Sequence, residues 1–259
     1  LIVPPLTVVV AFYSFRVGLD PDKVLYPVMS TLADLIVTGC YVGVIRWLYT
    51  PTGRALLVGF TAVFMAAQLA LLYLYVRERF FKEQLGECVA TILLVTLISG
   101  LTGLFLERIG RAIGARSGVY AVYPALIDTV GDVGSIVGSI VSTRLHMGEL
   151  EPSLRMVLGS GGTVLGVWVA SLIPFLAYSL MAAAMTGQLS VGAFAAMAKL
   201  LLASNVLAVA VIVTVALAVA ILTFRVWLNP DNFVNPVVST VADAAATAAL
   251  YLALEWLTP

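Results

Sequence analysis

Two aspartates, Asp34 and Asp243, stand in matching surroundings. Residues 15–34 read FRVGLDPDKVLYPVMSTLAD and residues 224–243 read FRVWLNPDNFVNPVVSTVAD, a gapless offset of 209 with 12 of 20 positions identical. Ser30, Asp34 and Thr38 follow i, i+4, i+8 spacing, and Ser239, Asp243 and Thr247 repeat it. On a helix each set forms one polar line among Val, Leu and Ala. Thr31 and Thr240 add hydroxyls beside these lines. Oxygen donors alone suit hard cations such as magnesium or calcium rather than zinc or copper. A further set, Asp128, Asp132, Ser135, Ser139 and Ser142, lies on one helix face, with Gly134-xxx-Gly138 permitting close helix approach. These acids line the same path or support its wall.

The elements that must position these residues are membrane helices. Of 259 residues, 61% are hydrophobic and only 11% charged, with 14 basic and 14 acidic side chains; the mean hydropathy is +1.06. That composition excludes a soluble enzyme, a disordered chain and a nucleic-acid binder. A bilayer core takes about 20 apolar residues per helix. Eight spans are expected, at 1–17, 24–49, 55–76, 88–106, 119–143, 156–185, 195–228 and 236–257, with charge collected in the connections, including 77–83, 107–116 and 144–155. A carboxylate at the middle of such a span costs about 2.5–3.5 kcal/mol on insertion scales, so Asp34 and Asp243 must face protein or water. They either line a path or pair with an arginine such as Arg16 or Arg225. Cys40 and Cys88 have no metal-ligating spacing, and His146 is the only histidine, expected in a loop.

The repeat organises the chain. Three spans precede the second copy with no equivalents before the first, so roughly one hundred or more residues are expected upstream of residue 1. The expected fold is an all-α polytopic transmembrane bundle. It has two parallel five-span pseudo-repeats, the first incomplete, joined by an extra transmembrane helix. The divisions are 1–54 (the last two spans of the first repeat), 55–86 (linking helix and loop) and 87–259 (a complete second repeat). The extra span lets both units insert in the same direction, which favours a pore on an axis along the membrane normal. Placing the Asp20-Pro-Asp22 and Asn229-Pro-Asp231 loops on the cytoplasmic side puts eight of the fourteen Lys and Arg inside, a slight preference under the positive-inside rule. These loops read as helix starts, with attraction of cations at a pore mouth as the alternative. Gln68 and Asn205 are polar positions within spans that suit interhelical hydrogen bonds.

The pattern P-V-x-S-T-x-A-D after a DPD or NPD turn resembles the MgtE-type magnesium channels, and more closely their two-repeat relatives, the solute-carrier family 41 divalent cation transporters. Pro124-Ala-Leu, Gly131-Asp132 and Ser142-Thr143 through Gly148 are similar to the family's P-A-L…G-N…S-T…G segment. The resemblance covers 1–49 and 87–257 and implies a multi-pass plasma-membrane transporter, not an enzyme. It implies a hydrated magnesium ion held between Asp34 and Asp243 on the axis, and adds Asn235 to the metal set with Asp128 and Asp132. Tyr26 stands where the first copy would carry that Asn, and Asp132 replaces the family's Asn after Gly; both departures bear on selectivity. No resident cofactor is implied; magnesium is the cargo. The expected partners are a divalent cation and the bilayer, with the pore formed inside one full-length chain by the two repeats. The sequence admits two other readings. An organic-solute carrier would share the architecture. An intramembrane aspartyl protease needs a Gly-x-Gly-Asp element, and residues 129–132 are Thr-Val-Gly-Asp.

Overall fold

The computed structural model describes residues 2–114, 117–153, 159–187 and 189–257. Arg116, Arg155 and the first residues of the expected 156–185 span lie outside them. The described residues form α1 (Val3–Val17), α2 (Pro21–Leu48), α3 (Pro51–Tyr75), α4 (Arg79–Gly114), α5 (Ser117–His146), α6 (Gly161–Met185), α7 (Val191–Arg225) and α8 (Pro230–Leu257), with no strand among them. By length and composition, α2, α3, α5, α6, α7 and α8 are each able to cross a membrane, while α1 is a shorter apolar helix. The chain is thus a polytopic helical membrane bundle. Within the described residues each expected span overlaps a helix, but two stretches expected as connections are largely helical as well. The charged stretch 77–83 is helical from Arg79, where Arg79 pairs with Glu83 one turn on at 2.8 Å. Most of 107–116 likewise continues α4 as far as Gly114. His146 is the last residue of α5 rather than a loop residue, with its Nδ1 2.9 Å from the Ser142 carbonyl.

Proline and short polar side chains start the helices. Asp20 accepts a hydrogen bond from the Asp22 N–H, and Asn229 from the Asp231 N–H, both at 3.1 Å, with Pro21 and Pro230 as first helical residues. A proline there loses nothing, since its missing N–H would have had no intrahelical partner. Thr50 and Ser190 cap α3 and α7 in the same way.

The sequence repeat is also a backbone repeat. Gly18 N–H donates to Phe15 and Leu19 N–H to Ser14; at +209, Trp227 donates to Phe224 and Leu228 to Thr223, all between 2.9 and 3.2 Å. Both helices therefore end in one left-handed residue, Gly18 at φ 81 and Trp227 at φ 64. Glycine takes that conformation freely, whereas a residue with a Cβ is strained in it. The turn geometry is retained even where its favoured residue is not.

Helices α5 to α8 form the packed core, and α1 to α3 lie at its edge, with no buried residue in the most apolar stretch of α3. Helix α5 is the central element. Its glycines bring α8 close: a Cβ on Gly134 would stand 2.6 Å from Val238 Cγ1, and one on Gly138 would stand 2.2 Å from Val234 Cγ1. Asn205 on α7 is fully buried, accepts from Trp168 Nε1 at 3.0 Å and donates to Ser171 at 3.1 Å, clamping α6 to α7 as its position suggested. Gln68 is exposed beside an apolar cleft between α1 and α3.

The close approach makes a testable demand. Gly138→Val overpacks the α5–α8 seam and is expected to cost about 1–3 kcal/mol, lowering the unfolding midpoint of the full-length protein in detergent. Gly43→Ala, with nothing within 4 Å of the added Cβ, leaves that midpoint unchanged or raises it.

Candidate cation site

Three helices set the geometry, and their register can be read from contacts. Along α2, Asp22 meets Ser139 and Thr143 of α5, and Ser30 meets Asp132. Along α8, Val234 faces Gly138, Val238 faces Gly134, Ala242 faces Gly131, and Thr247 meets Tyr123. Both series run antiparallel to α5, so α2 and α8 run parallel to each other. The repeated helix thus points the same way in both copies. The registers also agree: positions related by +209 reach α5 at the same height. One layer holds Ser30, Asp132 and Ser239; the next, one turn on, holds Asp34, Asp128 and Asp243.

These layers border a cavity of about 750 Å³ between α2, α5 and α8, with Thr7 of α1 at its edge. Asp34, Asp128, Asp132, Asp243 and Asn235 all line it, as do Ser30, Ser239 and Thr240. All five expected metal residues are therefore brought to one space. Asp34 and Asp243 are exposed, whereas Asp128 and Asp132 are partly buried. Ser30 donates to Asp132 Oδ1 at 3.0 Å, and Asp128 lies within electrostatic reach of Asp34. Among the described residues no three His, Cys, Asp or Glu converge closely enough to coordinate one ion directly.

Three expected lining residues are placed elsewhere. Thr31 is exposed and donates back to the Pro27 carbonyl at 2.9 Å. Thr38 is exposed and away from the cavity lining. Thr247 is buried, with its hydroxyl between Tyr123 and the Asp243 carbonyl. For Thr38 and Thr247 the reason is helical drift. With 3.6 residues per turn, each step of four rotates a side chain by about 40°, so i+8 stands roughly 80° off the line. The α5 set alternates steps of four and three, which cancels the drift, and Asp128, Asp132 and Ser135 all face the cavity.

Sequence reasoning missed other cavity residues. Met29 lines it and reads as an ordinary apolar-face residue, and Tyr26, marked in the sequence only as the departure at the Asn235 position, lines it too. Asn235 Nδ2 donates to the Tyr26 hydroxyl, while the buried Asn235 Oδ1 has no partner. The capping loops also do more than cap. Asp20 caps α2, but Asp22 accepts from Ser139 at 3.0 Å and Thr143 at 2.7 Å. In the second copy Asn232 holds the start of α8 to α4 by donating to Glu87 at 2.6 Å.

A family model described as MgtE, divalent cation transporter, matches residues 123–253, just over half of the chain. The chain belongs to the MgtE family of divalent cation transporters. No curated protein and no solved structure matches it significantly. The MgtE match runs from Tyr123 in α5 to Ala253 in α8 and so includes Asp128, Asp132, Asn235 and Asp243. Asp34 lies outside it and enters through the repeat. As an MgtE family member the chain is a multi-pass transporter and not an enzyme, which sets aside both the protease and the organic-solute readings.

The two acids of the first loop are expected to separate in their effects. Asp22→Ala removes two hydrogen bonds to a carboxylate and should cost about 1.5–3 kcal/mol, whereas Asp20→Ala removes a cap, about 0.5–2 kcal/mol, and an exposed pairing with Lys23 that adds little. Thermal unfolding of the full-length protein checks this ordering.

Proposed function

We propose that the chain moves magnesium, largely hydrated, through the cavity between α2 and α8, with Asp34 and Asp243 as the principal ion-facing acids. The observation that carries this reading is the register: the two repeat-related aspartates and Asp128 share one level around one cavity. Magnesium sheds its water reluctantly and is usually held by one or two carboxylates through retained waters. Spaced acids fit that chemistry better than a tight cage would. Asp128 and Asp132 add negative charge to one wall, Asn235 offers an unsatisfied oxygen, and Ser30 orients Asp132.

The same site suits passive movement driven by the membrane potential, worth about 2.3 kcal/mol per elementary charge at 100 mV and roughly double for a divalent ion. The plasma membrane is the proposed location, and the pore is proposed to form within one full-length chain from its two repeats, divided near 54 and 87.

In proteoliposomes containing the full-length protein, Asp34→Asn and Asp243→Asn should each reduce magnesium flux roughly tenfold or more, since a unit charge pair about 6 Å apart still contributes on the order of 2–3 kcal/mol at an effective dielectric near 20. Undiminished flux in both variants would overturn the site assignment.

A further inference from the structure

The geometry points to Tyr26 as the residue that closes the cation path at the loop end, by bonding its own repeat counterpart across the axis between the copies. Tyr26 and Asn235 are separated by 209 positions, the repeat offset, and Asn235 Nδ2 donates to the Tyr26 hydroxyl. A residue touches its own counterpart only where the axis relating the copies passes between them. The pair therefore sits at the centre of the assembly formed by α2 and α8. Both residues line the acidic cavity. Each lies eight residues before its aspartate, about 12 Å along the helix at 1.5 Å per residue, on the side of the loops at Asp20 and Asn229.

The surroundings show that this level is tight. Asn235 Oδ1 is out of contact with solvent although its side chain borders the cavity. One turn nearer the loop, Asp22 is fastened to Ser139 and Thr143, which fixes the start of α2 against α5. A cation leaving the aspartate level toward the loops must pass the pair, and it must break the bond to do so. The closure depends on the two copies differing. A phenol from one copy has the length to reach the axis, and an amide from the other supplies the donor. Opening exposes Asn235 Oδ1 as an acceptor for the waters of the passing ion.

This inference rests on the cavity being a cation path, and its test separates the two. The full-length protein carries Cys40→Ser, Cys88→Ser and Ser239→Cys, the last placing a thiol in the cavity. It is reconstituted in vesicles whose loop side is identified by labelling a Lys23→Cys variant. A membrane-impermeant charged methanethiosulfonate is applied from the loop side with Tyr26, Tyr26→Phe or Tyr26→Ala, and magnesium flux is measured in parallel on the same three proteins with Ser239 retained. Tyr26→Phe keeps the ring and loses the hydroxyl, with its interactions with Asn235 and Ser139. It should speed labelling about threefold to tenfold or more, the population shift expected from losing at least one ordinary hydrogen bond. Tyr26→Ala should be at least as fast, and flux should rise with labelling. Labelling that is unchanged or slower in both variants overturns the gate. Faster labelling in the variants, with no magnesium flux in the protein that keeps Ser239, upholds the gate and overturns magnesium as cargo. Unchanged unfolding midpoints confirm that the variants are folded.

Discussion

A carboxylate inside a membrane span has to find water or protein, and the arrangement of this chain follows from meeting that demand four times. Asp34, Asp128, Asp132 and Asp243 sit on three different helices, all within apolar sequence. No single helix can shelter them, because its own surface is mostly Val, Leu and Ala. The solution is one shared cavity with α5 as its wall. Helix α5 carries two of the acids and also the glycines that let α8 approach. Packing and chemistry are thus coded on one helix, a few residues apart.

Duplication gives the site its symmetry, and departures from duplication give it direction. The backbone turns before α2 and α8 share their hydrogen bonds pair by pair, and the aspartates fall at equal depth. Toward the loop end, several side chains differ between the copies. Gly18 corresponds to the strained Trp227, Tyr26 to Asn235, and Lys23 to Asn232. The start of α2 is tied to α5 through Asp22, while the start of α8 is tied to α4 through Asn232. The acid level is therefore nearly symmetric and the level beyond it is not.

Much of this was legible in the sequence because charge is scarce there. An aspartate in a Val- and Ala-rich span is conspicuous, and a repeated Arg, Pro and Asp at fixed spacing marks duplication where hydropathy alone would not. The five metal candidates consequently meet in one cavity. The lining threonines were less legible. A strict four-residue stripe ignores helical drift, so Thr38 left the cavity and Thr247 turned into the core against Tyr123. Tyr26 stood out only as the departure at the Asn235 position, and its place on the cavity was not legible, since an aromatic on an apolar helix reads as packing. Its tie to Asn235 depends on the distance between helices, which sequence spacing does not encode. Helix ends were blurred for a related reason: the Arg79–Glu83 pair stabilises a turn that charge content alone assigns to a loop.

The central claim is that acids from both copies hold one hydrated divalent cation between α2, α5 and α8. Manganese, which scatters anomalously, tests it most directly in crystals of the full-length protein. The account predicts an anomalous peak inside the cavity at the level of Asp34, Asp128 and Asp243, separated from each carboxylate by a water layer. A cavity without a peak while manganese binds elsewhere on the protein, or a peak bonded directly to a cluster of side chains, would contradict it.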